Sequence, residues 1–389
     1  MVAAASPGSV NSFGETLAAS ATASADRAAR VAIVGGGPAG MALALALRQH
    51  GVGSEIFEAR ARAAVRQDGR ILALSHGARQ ILDWLGAWNG LPATGIDRIH
   101  VSHQGALGRT KILAAEMGVP FLGYVLPARE LIATLDAAVA AAGIPYHEQS
   151  KVDAGDTALA GFGLTAWAEG MVGGDAARVR DYGQHAVLCV VDTAQPHDGV
   201  AWERFTPAGP VALLPLGRQY AVVLTVASDE VAAVLARDDA SFLDLLQQRF
   251  GGRHRFVATG PRAAYALGLR WREQPVGERA VWLGNAAQTL HPVAGQGFNL
   301  ALRDLWELAG ALAGTEDPGD ANRLSAYVRG RRLDRRGAIA FTNLLIDAFG
   351  ADFAPLRHAR GAGLLALDLL PPLRRFVARR MMFGARVWP

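Results

Sequence analysis

Residues 1–29 show no hydrophobic periodicity. They are rich in Ala, Ser, Gly and Thr and lack the positive start and apolar core of a signal peptide, so a disordered tail is expected. At Arg30 the texture changes: R-V-A-I-V reads as a buried strand, Met41 to His50 as a helix ended by Gly51, and Ser54 to Phe57 as a second strand. Ile71 to Leu74 leads into a helix carrying Trp84 and Leu85. Ile99 to Ser102 and Lys111 to Ala114 alternate like strands. Pro127 marks the start of a helix that runs to about Ala142 and stops at Gly143. The pattern is thin from Gly143 to Val191, with strand-like Ile144–Glu148 and Leu164–Ala168 and loops at Glu169-Gly170 and Gly173-Gly174.

A β-rich block follows: His185–Val191, Gly199–Phe205, Val211–Leu216 and Tyr220–Ala227, broken at Pro207, Gly209-Pro210 and Gly217 as in a meander. Val231–Phe250 reads as helix and Phe256–Leu267 as strand. A short strand, Val281–Leu283, precedes a loop of small residues and a helix beginning near Gly297. Helical pattern then fills Asn299–Ala313, Ala321–Asp334 and Ala338–Phe349. The last segment, Gly363–Phe383, mixes Leu-Leu, Pro371-Pro372, paired arginines and Met381-Met382. It suits either an interfacial helix or a packing helix with a solvated arginine face.

Composition narrows the reading. With 389 residues and 51% hydrophobic content, the chain can build a large core and two or three domains. Cys189 is the sole cysteine, which excludes internal disulfides and Cys-rich metal sites and fits a reducing, cytoplasmic setting. The ten histidines are scattered and no metal site is expected. The net charge of +4 comes almost wholly from arginine, and Lys111 and Lys151 are the only lysines. The one basic cluster is C-terminal (Arg374, Arg375, Arg379, Arg380, Arg386), without the interleaved stripe of a nucleic-acid binder. No run reaches the ~18 apolar residues that suggest a membrane span.

Two glycine-bearing stretches carry the chemistry. In G-G-G-P-A-G, Gly35, Gly37 and Gly40 stand at the G-x-G-x-x-G spacing after a strand and before a helix. Glu58 ends the next strand about 20 residues on, as in dinucleotide-binding βαβ units. Gly35 makes the tight turn, Gly37 admits a pyrophosphate, Gly40 lets helix pack on strand, and Glu58 would accept from a ribose diol. The second stretch, Ala280–Leu305, reads strand–loop–helix, with Gly295 and Gly297 letting a flat, electron-rich group approach the helix N-terminus. Its own residues leave a packing turn equally open. Arg70, after Asp68-Gly69, is either a surface charge or a cofactor contact. Arg129 opposes the dipole of its helix, which an anionic partner would justify and a surface position would also allow.

Taken together, G-G-G-P-A-G, Glu58 and the distant G-N-A-A-Q-T-L-H-P-V-A-G-Q-G-F-N-L resemble the class A flavin monooxygenases, and most nearly the ubiquinone-biosynthesis hydroxylases. D-G-R-I-L-A-L-S-H-G (Asp68–Gly77), W-E-R-F-T-P-A-G-P-V-A-L-L-P-L (Trp202–Leu216) and A-A-Y-A-L-G-L (Ala263–Leu269) look like the branch acting on 2-polyprenyl-6-methoxyphenol. The resemblance covers about residues 30 to 389. It implies an α/β fold with a Rossmann-like FAD-binding domain interleaved with a β-sheet substrate domain, plus C-terminal helices. The divisions expected are 30–98, 127–184 and 275–340 for FAD, 99–126 and 185–274 for substrate, and 341–389 for the helical end.

The resemblance further implies FAD as cofactor, O2 as co-substrate and NAD(P)H as electron donor, with oxygen passed from a flavin C4a-hydroperoxide to a polyprenylated phenol. Gly35, Gly37, Pro38, Ala39 and Gly40 would meet the FAD pyrophosphate and Glu58 the adenosine ribose. Arg70 and Arg129 match arginines near the cofactor. Asn285 would contact the ribityl or pyrophosphate portion. Pro292, Gly295, Gln296, Gly297, Phe298 and Asn299 would line the isoalloxazine. No catalytic base stands out; His291 is the one candidate, beside a structural role before Pro292. Ala168-Glu169-Gly170 replaces the family's Asp-Gly fingerprint, and Gln149–Trp167 is shorter than the two strands relatives place there, which bears on the nicotinamide contact. A cytoplasmic location is expected, with peripheral contact at the inner face of the membrane through 363–389 and membership of a biosynthetic assembly as further options. The alternatives are a soluble small-phenol hydroxylase and a flavin-binding structural subunit; a flavin halogenase is disfavoured because no W-x-W-x-I-P run is present.

Overall fold

The computed structural model describes residues 27–105, 108–172, 177–290, 295–350 and 354–385. In chain order, β1 (Val31–Val34), α1 (Pro38–Gln49) and β2 (Ser54–Phe57) form the opening βαβ unit. A short turn, α2 (Arg62–Val65), precedes β3 (Ile71–Ser75), α3 (His76–Trp84), β4 (Thr94–Ile96), β5 (Arg98–His103) and β6 (Arg109–Leu113). Then come α4 (Ala114–Met117), β7 (Gly123–Pro127), α5 (Ala128–Ala141), β8 (Tyr146–His147) and β9 (Leu164–Trp167). The β-rich block supplies β10 (Ala177–Thr193), β11 (Val200–Phe205), β12 (Val211–Leu216) and β13 (Gln219–Ala227). It continues through α6 (Val231–Leu235), α7 (Asp239–Phe250), β14 (Phe256–Thr259) and β15 (Ala263–Arg272). The chain then makes β16 (Val276–Gly277), β17 (Ala280–Trp282), β18 (Gln288–Thr289), α8 (Gln296–Ala311), α9 (Ala321–Gly350), α10 (Ala354–Leu369) and α11 (Pro371–Phe383).

The strands form three sheets. A six-stranded sheet, β16-β17-β9-β1-β2-β8, is parallel except for β16. Its central strand β1, V-A-I-V, is apolar on both faces, as a covered parallel strand must be. Leu43 and Leu47 of α1, Leu131 and Leu135 of α5, and Leu302 and Leu305 of α8 join Ile33 and Ile56 in one core. A nine-stranded sheet, β18-β15-β10-β13-β12-β11-β5-β6 with β14 beside β10, is antiparallel apart from the β11–β5 pair. One face packs on α7 through Phe242, Leu246 and Phe250. The antiparallel sheet β3-β7-β4 lies between the two larger sheets: Leu74 and Leu126 point into the first core, while Val125 and Ile96 meet Ala201 of the second. The α/β class and the C-terminal helices are as the sequence predicts.

Several elements differ from their predicted extents. The helix expected from Met41 begins at Pro38, because proline at the first helical position needs no partner for a missing N–H. β10 starts at Ala177, ahead of the predicted His185; a register shift between Asp181 and Gln184 breaks the alternation that would have revealed it. Val231–Phe250 is two helices, since Asp238 caps the second by accepting the Ser241 N–H at 2.7 Å. Phe256–Leu267 is two strands, interrupted at Gly260-Pro261. Ala321–Asp334 and Ala338–Phe349 form one helix, and Gly363–Phe383 spans the end of α10 and all of α11. Strands β4 and β7 were not predicted. Of the segment expected to be disordered, Arg27 lies over the Phe162 ring at 4.8 Å; residues 1–26, Gly173-Gly174 and Arg386 fall outside the described residues.

The reason α9 is continuous is a buried ionic network at its middle. Arg331 Nε donates to Asp304 Oδ1 at 2.7 Å, and both Arg303 Nε (2.8 Å) and Arg331 Nη2 (2.5 Å) donate to Asp334 Oδ2. Gln288 bridges further, donating to Asp304 Oδ2 and accepting from Arg335 Nε, each at 2.8 Å. Of the arginines in this stretch, Arg331 and Arg335 are buried in the network, while Arg329, Arg332 and Arg336 are exposed. Burial alone would raise the Asp334 carboxyl, but Arg303 and Arg331 outweigh it and hold the group below its ordinary value. Its folded pKa is depressed, so its contribution to stability is present above the unfolded pKa and is lost as pH falls through the folded one. Asp334→Ala leaves two buried guanidinium groups short of a partner and is expected to cost about 3–5 kcal/mol in urea unfolding. Arg279→Ala, at the half-exposed Arg279–Asp317 pair, should cost no more than about 1 kcal/mol in the same measurement.

Candidate functional site

Four glycines follow β1, and the fold requires only three of them. Gly35 has φ of 112°, and a Cβ there would lie 2.7 Å from Glu169 Cβ. A Cβ on Gly36 would sit 2.1 Å from Tyr146 Oη, and one on Gly40 1.9 Å from the Gly35 carbonyl oxygen. Gly37 is different. Its φ of −73° suits any residue, and a Cβ would meet nothing within 4 Å. Gly37 is also the N-cap of α1, with no side-chain cap, Pro38 behind it and no acid in the first turn. The first-turn amides of Ala39 and Gly40 have no intrahelical acceptor and face the positive end of the helix dipole.

Glu58, 2% exposed, ends β2 beside this loop. Its Oε2 accepts the Gly36 N–H at 2.8 Å, while Oε1 accepts from Arg60 N at 3.0 Å and Arg60 Nε at 2.8 Å. Burial opposes ionisation, but the bonds from Arg60 and Gly36 prevail and hold the carboxyl below its ordinary value. It stays a carboxylate, and its oxygens retain capacity for a diol. Tyr146 Oη donates to the Gly36 carbonyl at 3.2 Å. Glu169 lies beneath Gly35, where burial, and then the Glu58 charge, raise its carboxyl. The residue in the Asp-Gly position therefore supports the first glycine turn. Between β8 and β9 a single 3-10 turn, Thr157–Leu159, replaces the additional strands expected of relatives.

The second stretch is brought against the first by small residues. A Cβ on Gly284 would lie 3.6 Å from Ala39 Cβ and 3.8 Å from Ala301 Cβ, so the turn after β17 fits between α1 and α8. Asn285 is exposed there, and its carbonyl accepts the Val172 N–H at 3.2 Å. Gly295 caps α8 with φ of 58° and would touch Ala73 Cβ at 3.3 Å. Gly297 repeats the case of Gly37: it is helical, and a Cβ would meet nothing within 4 Å. Neither a side-chain cap nor a first-turn acid covers this end.

Asn299 acts as a bracket. Its Nδ2 donates to Ala73 O at 3.0 Å and to Gly295 O at 2.6 Å, and its Oδ1 accepts the Ser75 N–H at 2.8 Å. Gln296 Nε2 donates to Met381 O of α11 at 3.3 Å, and Phe298 packs against the main core. His291 and Pro292 lie outside the described residues. Arg70 is tied to Asp68, with Nη2 to Oδ2 at 2.5 Å, and Arg129, 63% exposed at the start of α5, pairs with Glu130 at 3.1 Å. Arg60 and Tyr146 were not singled out from the sequence, although Arg60 stands two residues after Glu58.

The structure thus sets two uncapped helix N-termini side by side, each fronted by a glycine that packing does not demand, with a charged carboxylate near the first. These donors and this free space fit a dinucleotide whose phosphates need amide N–H groups and whose ribose needs an acceptor. Among the described residues no group of three or more His, Cys, Asp or Glu could hold a metal ion.

Comparison with known proteins agrees with this geometry. The family described as an FAD binding domain matches residues 28–158 and 156–342. The ubiquinone hydroxylase UbiL of Rhodospirillum rubrum is 34% identical, covering 95% of this chain and 92% of its own. The 3-demethoxyubiquinol 3-hydroxylase of Escherichia coli is 29% identical over 89% of this chain and 96% of its own. In fold, PqsL of P. aeruginosa, solved in complex with 2-aminobenzoylacetate, aligns with a TM-score of 0.71 at 18% identity, covering 86% of this chain and 99% of that one. The chain therefore belongs to the FAD-binding-domain family, among the class A FAD-dependent monooxygenases that include the ubiquinone-biosynthesis hydroxylases.

Proposed function

We propose that this protein hydroxylates the aromatic ring of a polyprenylated phenol in ubiquinone biosynthesis. The observation that carries the reading is the pairing of two uncapped helix N-termini, with Gly37 and Gly297 left clear by the fold. Full-length similarity to two ubiquinone-pathway hydroxylases supports it. FAD, when bound, supplies the reduction of O2 by NAD(P)H and the electrophilic oxygen. The chain's own residues do the rest. Ala39 and Gly40 present amides to the pyrophosphate, and Glu58 takes the ribose hydroxyls. The first-turn amides of α8, from Gln296 to Phe298, hold negative charge on the adjoining ring edge. Asn299 fixes that helix end to β3. The six-stranded sheet with its helices forms the nucleotide-binding part and the nine-stranded sheet the substrate wall, whose apolar face keeps water from the reacting oxygen.

The decisive experiment supplies the FAD-loaded protein with NAD(P)H, isotopically labelled O2 and a prenylated phenol. A ring-hydroxylated product carrying the label is expected. Retention of flavin without any such product overturns the reading. Gly37→Val is expected to leave the flavin-free protein as stable as before and to weaken FAD binding at least about tenfold, or 1.4 kcal/mol. Fluorescence titration with FAD checks this; unchanged affinity would remove Gly37 from the cofactor path.

A polyprenyl tail also requires access from a lipid surface, and we propose peripheral contact at the inner face of the membrane through α10 and α11. Leu365, Leu369, Leu370, Leu373 and Phe376 are exposed on these helices, Leu369 at 66% and Phe376 at 68%, with Arg375 and Arg379 exposed alongside. Apolar side chains flanked by arginines suit an anionic interface. Among the described residues no helix is long and apolar enough to cross a membrane. Leu369→Glu with Phe376→Glu is expected to abolish co-sedimentation with vesicles containing anionic lipid while flavin content stays constant. Recovery equal to the unaltered protein would count against this surface.

A further inference from the structure

The nine-stranded sheet has two unlike faces. Trp202 on β11 points to the face covered by α7, its ring 5.9 Å from Phe250 and its Nε1 donating to Tyr220 Oη at 3.1 Å. Ala201 and Glu203, its neighbours in sequence, point to the opposite face, since side chains alternate along a strand. That face looks toward the nucleotide-binding part. Ala201 packs against Ile96 and Val125 of the three-stranded sheet. Val125 pairs with Ala73 across that sheet, and Ala73 Cβ is the atom that a Cβ on Gly295 would touch. A short path of contacts therefore links Glu203's side of the sheet to the capping glycine of α8.

Around Glu203 this face is apolar and only partly covered. Along the pairing, Glu203 stands opposite Ala212, Ala212 opposite Val223, and Val223 opposite Leu188. Those three are half-buried, and Tyr265, one pair further along β15, is exposed. Glu203 is the one acidic residue in this part of the wall. Its Oε1 is shielded from solvent and has no hydrogen-bond partner. A carboxyl so placed opposes folding unless something else holds it there, because buried polar groups are ordinarily paired. The unmet acceptor lies on the face of the sheet that turns toward the nucleotide-binding part.

We propose that Glu203 accepts the proton of the substrate's phenolic hydroxyl. The inference rests on the functional reading above. The phenolic O–H bond breaks, an O–H bond forms on Glu203, and the electron pair stays on the ring oxygen. That raises electron density at the ortho and para carbons, where an electrophilic oxygen is received. The ring carbon that gains oxygen gives up its hydrogen as a proton, which returns to the phenolic oxygen. Glu203 then releases its proton to the second oxygen atom of O2, which leaves as water; the reductant is the NAD(P)H of the proposed reaction.

The ionisation of the group suits this task. Burial, its sole cause, pushes the Glu203 carboxyl up to about 8. A base of that strength is closer to a phenol than an ordinary carboxylate is, which eases proton transfer. Other titratable groups on its side of the sheet are His103 on β5, Asp192 on β10 and Tyr265 on β15, while β12 and β13 present none there. Arg204 lies on the reverse face with Arg253 as its charged neighbour. The reactive form of Glu203 is the carboxylate, so kcat/KM is expected to rise with pH through about 8. The sign for stability is the reverse. The folded pKa is raised, so stability from this group is lost as pH rises through it. Glu203→Gln should therefore melt no lower than the parent, with its largest gain at alkaline pH.

The test uses FAD-loaded full-length protein, a prenylated phenol and NAD(P)H. In Glu203→Gln, flavin content should match the parent. Product formation should fall about 100-fold in kcat, with a much smaller change in KM, and the rise through alkaline pH should vanish. Glu203→Asp, which restores the carboxylate at shorter reach, should recover part of the rate and the pH profile. A parent enzyme that hydroxylates the phenol, with a Gln variant within about threefold of it and an identical pH profile, overturns the assignment of Glu203 alone. A parent that holds flavin and hydroxylates no phenol overturns the functional reading, and the role of Glu203 falls with it.

Discussion

The closeness with which α8 can lie against α1 governs the site. Two helix N-termini carry like partial charges at their ends, and bringing them together without an anion between them is unfavourable. Here the approach is made possible by residues with almost no side chain: Gly284 sits where a Cβ would be 3.6 Å from Ala39 and 3.8 Å from Ala301. A larger residue at any of the three would push the helices apart. The cost of placing two positive ends side by side is offset only when a group with negative charge along its length occupies the gap. A dinucleotide with a phosphate pair at one end and a reducible ring at the other answers that description. The fold is thus built around its cofactor in an energetic sense, and FAD binding and helix geometry are linked.

Holding α8 at that angle is the task of the polar groups behind it. Asn299 fixes the first turn to β3, and one turn later Arg303 and Asp304 enter the buried network with Arg331, Asp334, Gln288 and Arg335. Hydrophobic contacts could supply as much stability, but they would allow the helix to slide or rotate. Directional bonds to β3, α9 and β18 do not, because a shift in any one leaves a buried polar group without its partner. The C-terminal residues join the same system: Ala385 N–H donates to Asp334 Oδ1 at 3.0 Å, and Gln296 reaches Met381 O. A helical end that reads from sequence as either an interfacial helix or a packing helix is also mechanically continuous with α8.

The first glycine stretch and the strand leading to Glu58 were legible in the sequence because their structure is local. Strand, glycine turn, helix and acid follow one another within a single βαβ unit, and each residue type answers to a nearby backbone need. The role of Asn299 was not legible: a side chain whose partners are Ala73 and Ser75 serves a connection between distant segments that spacing cannot reveal. The same holds for α9. Nothing in the spacing of Arg331, Asp334 and Arg335 marks them as interior; the packing of α8 over them does. β10 was cut short for a different reason. Its bulge at Tyr182-Gly183 interrupts the two-residue period on which strand reading depends, while the backbone continues through it. Errors of this kind cluster where tertiary contacts override local pattern.

Glu203 shows the converse relation between stability and function. W-E-R-F marks a motif of the resemblance, yet periodicity alone makes its glutamate an outward-facing polar residue on a half-buried strand. In the fold that outward face is turned toward the nucleotide-binding part, and the carboxyl lies among small apolar residues with an unmet acceptor. A leucine at this position would pack better and remove the desolvation cost. Stability considerations therefore cannot account for the glutamate, whereas a substrate hydroxyl would supply the one donor it lacks. The same reasoning applies to Gly37 and Gly297, whose lack of a side chain benefits no contact within the protein. What unites these three residues is a need for space or for a donor from outside the chain.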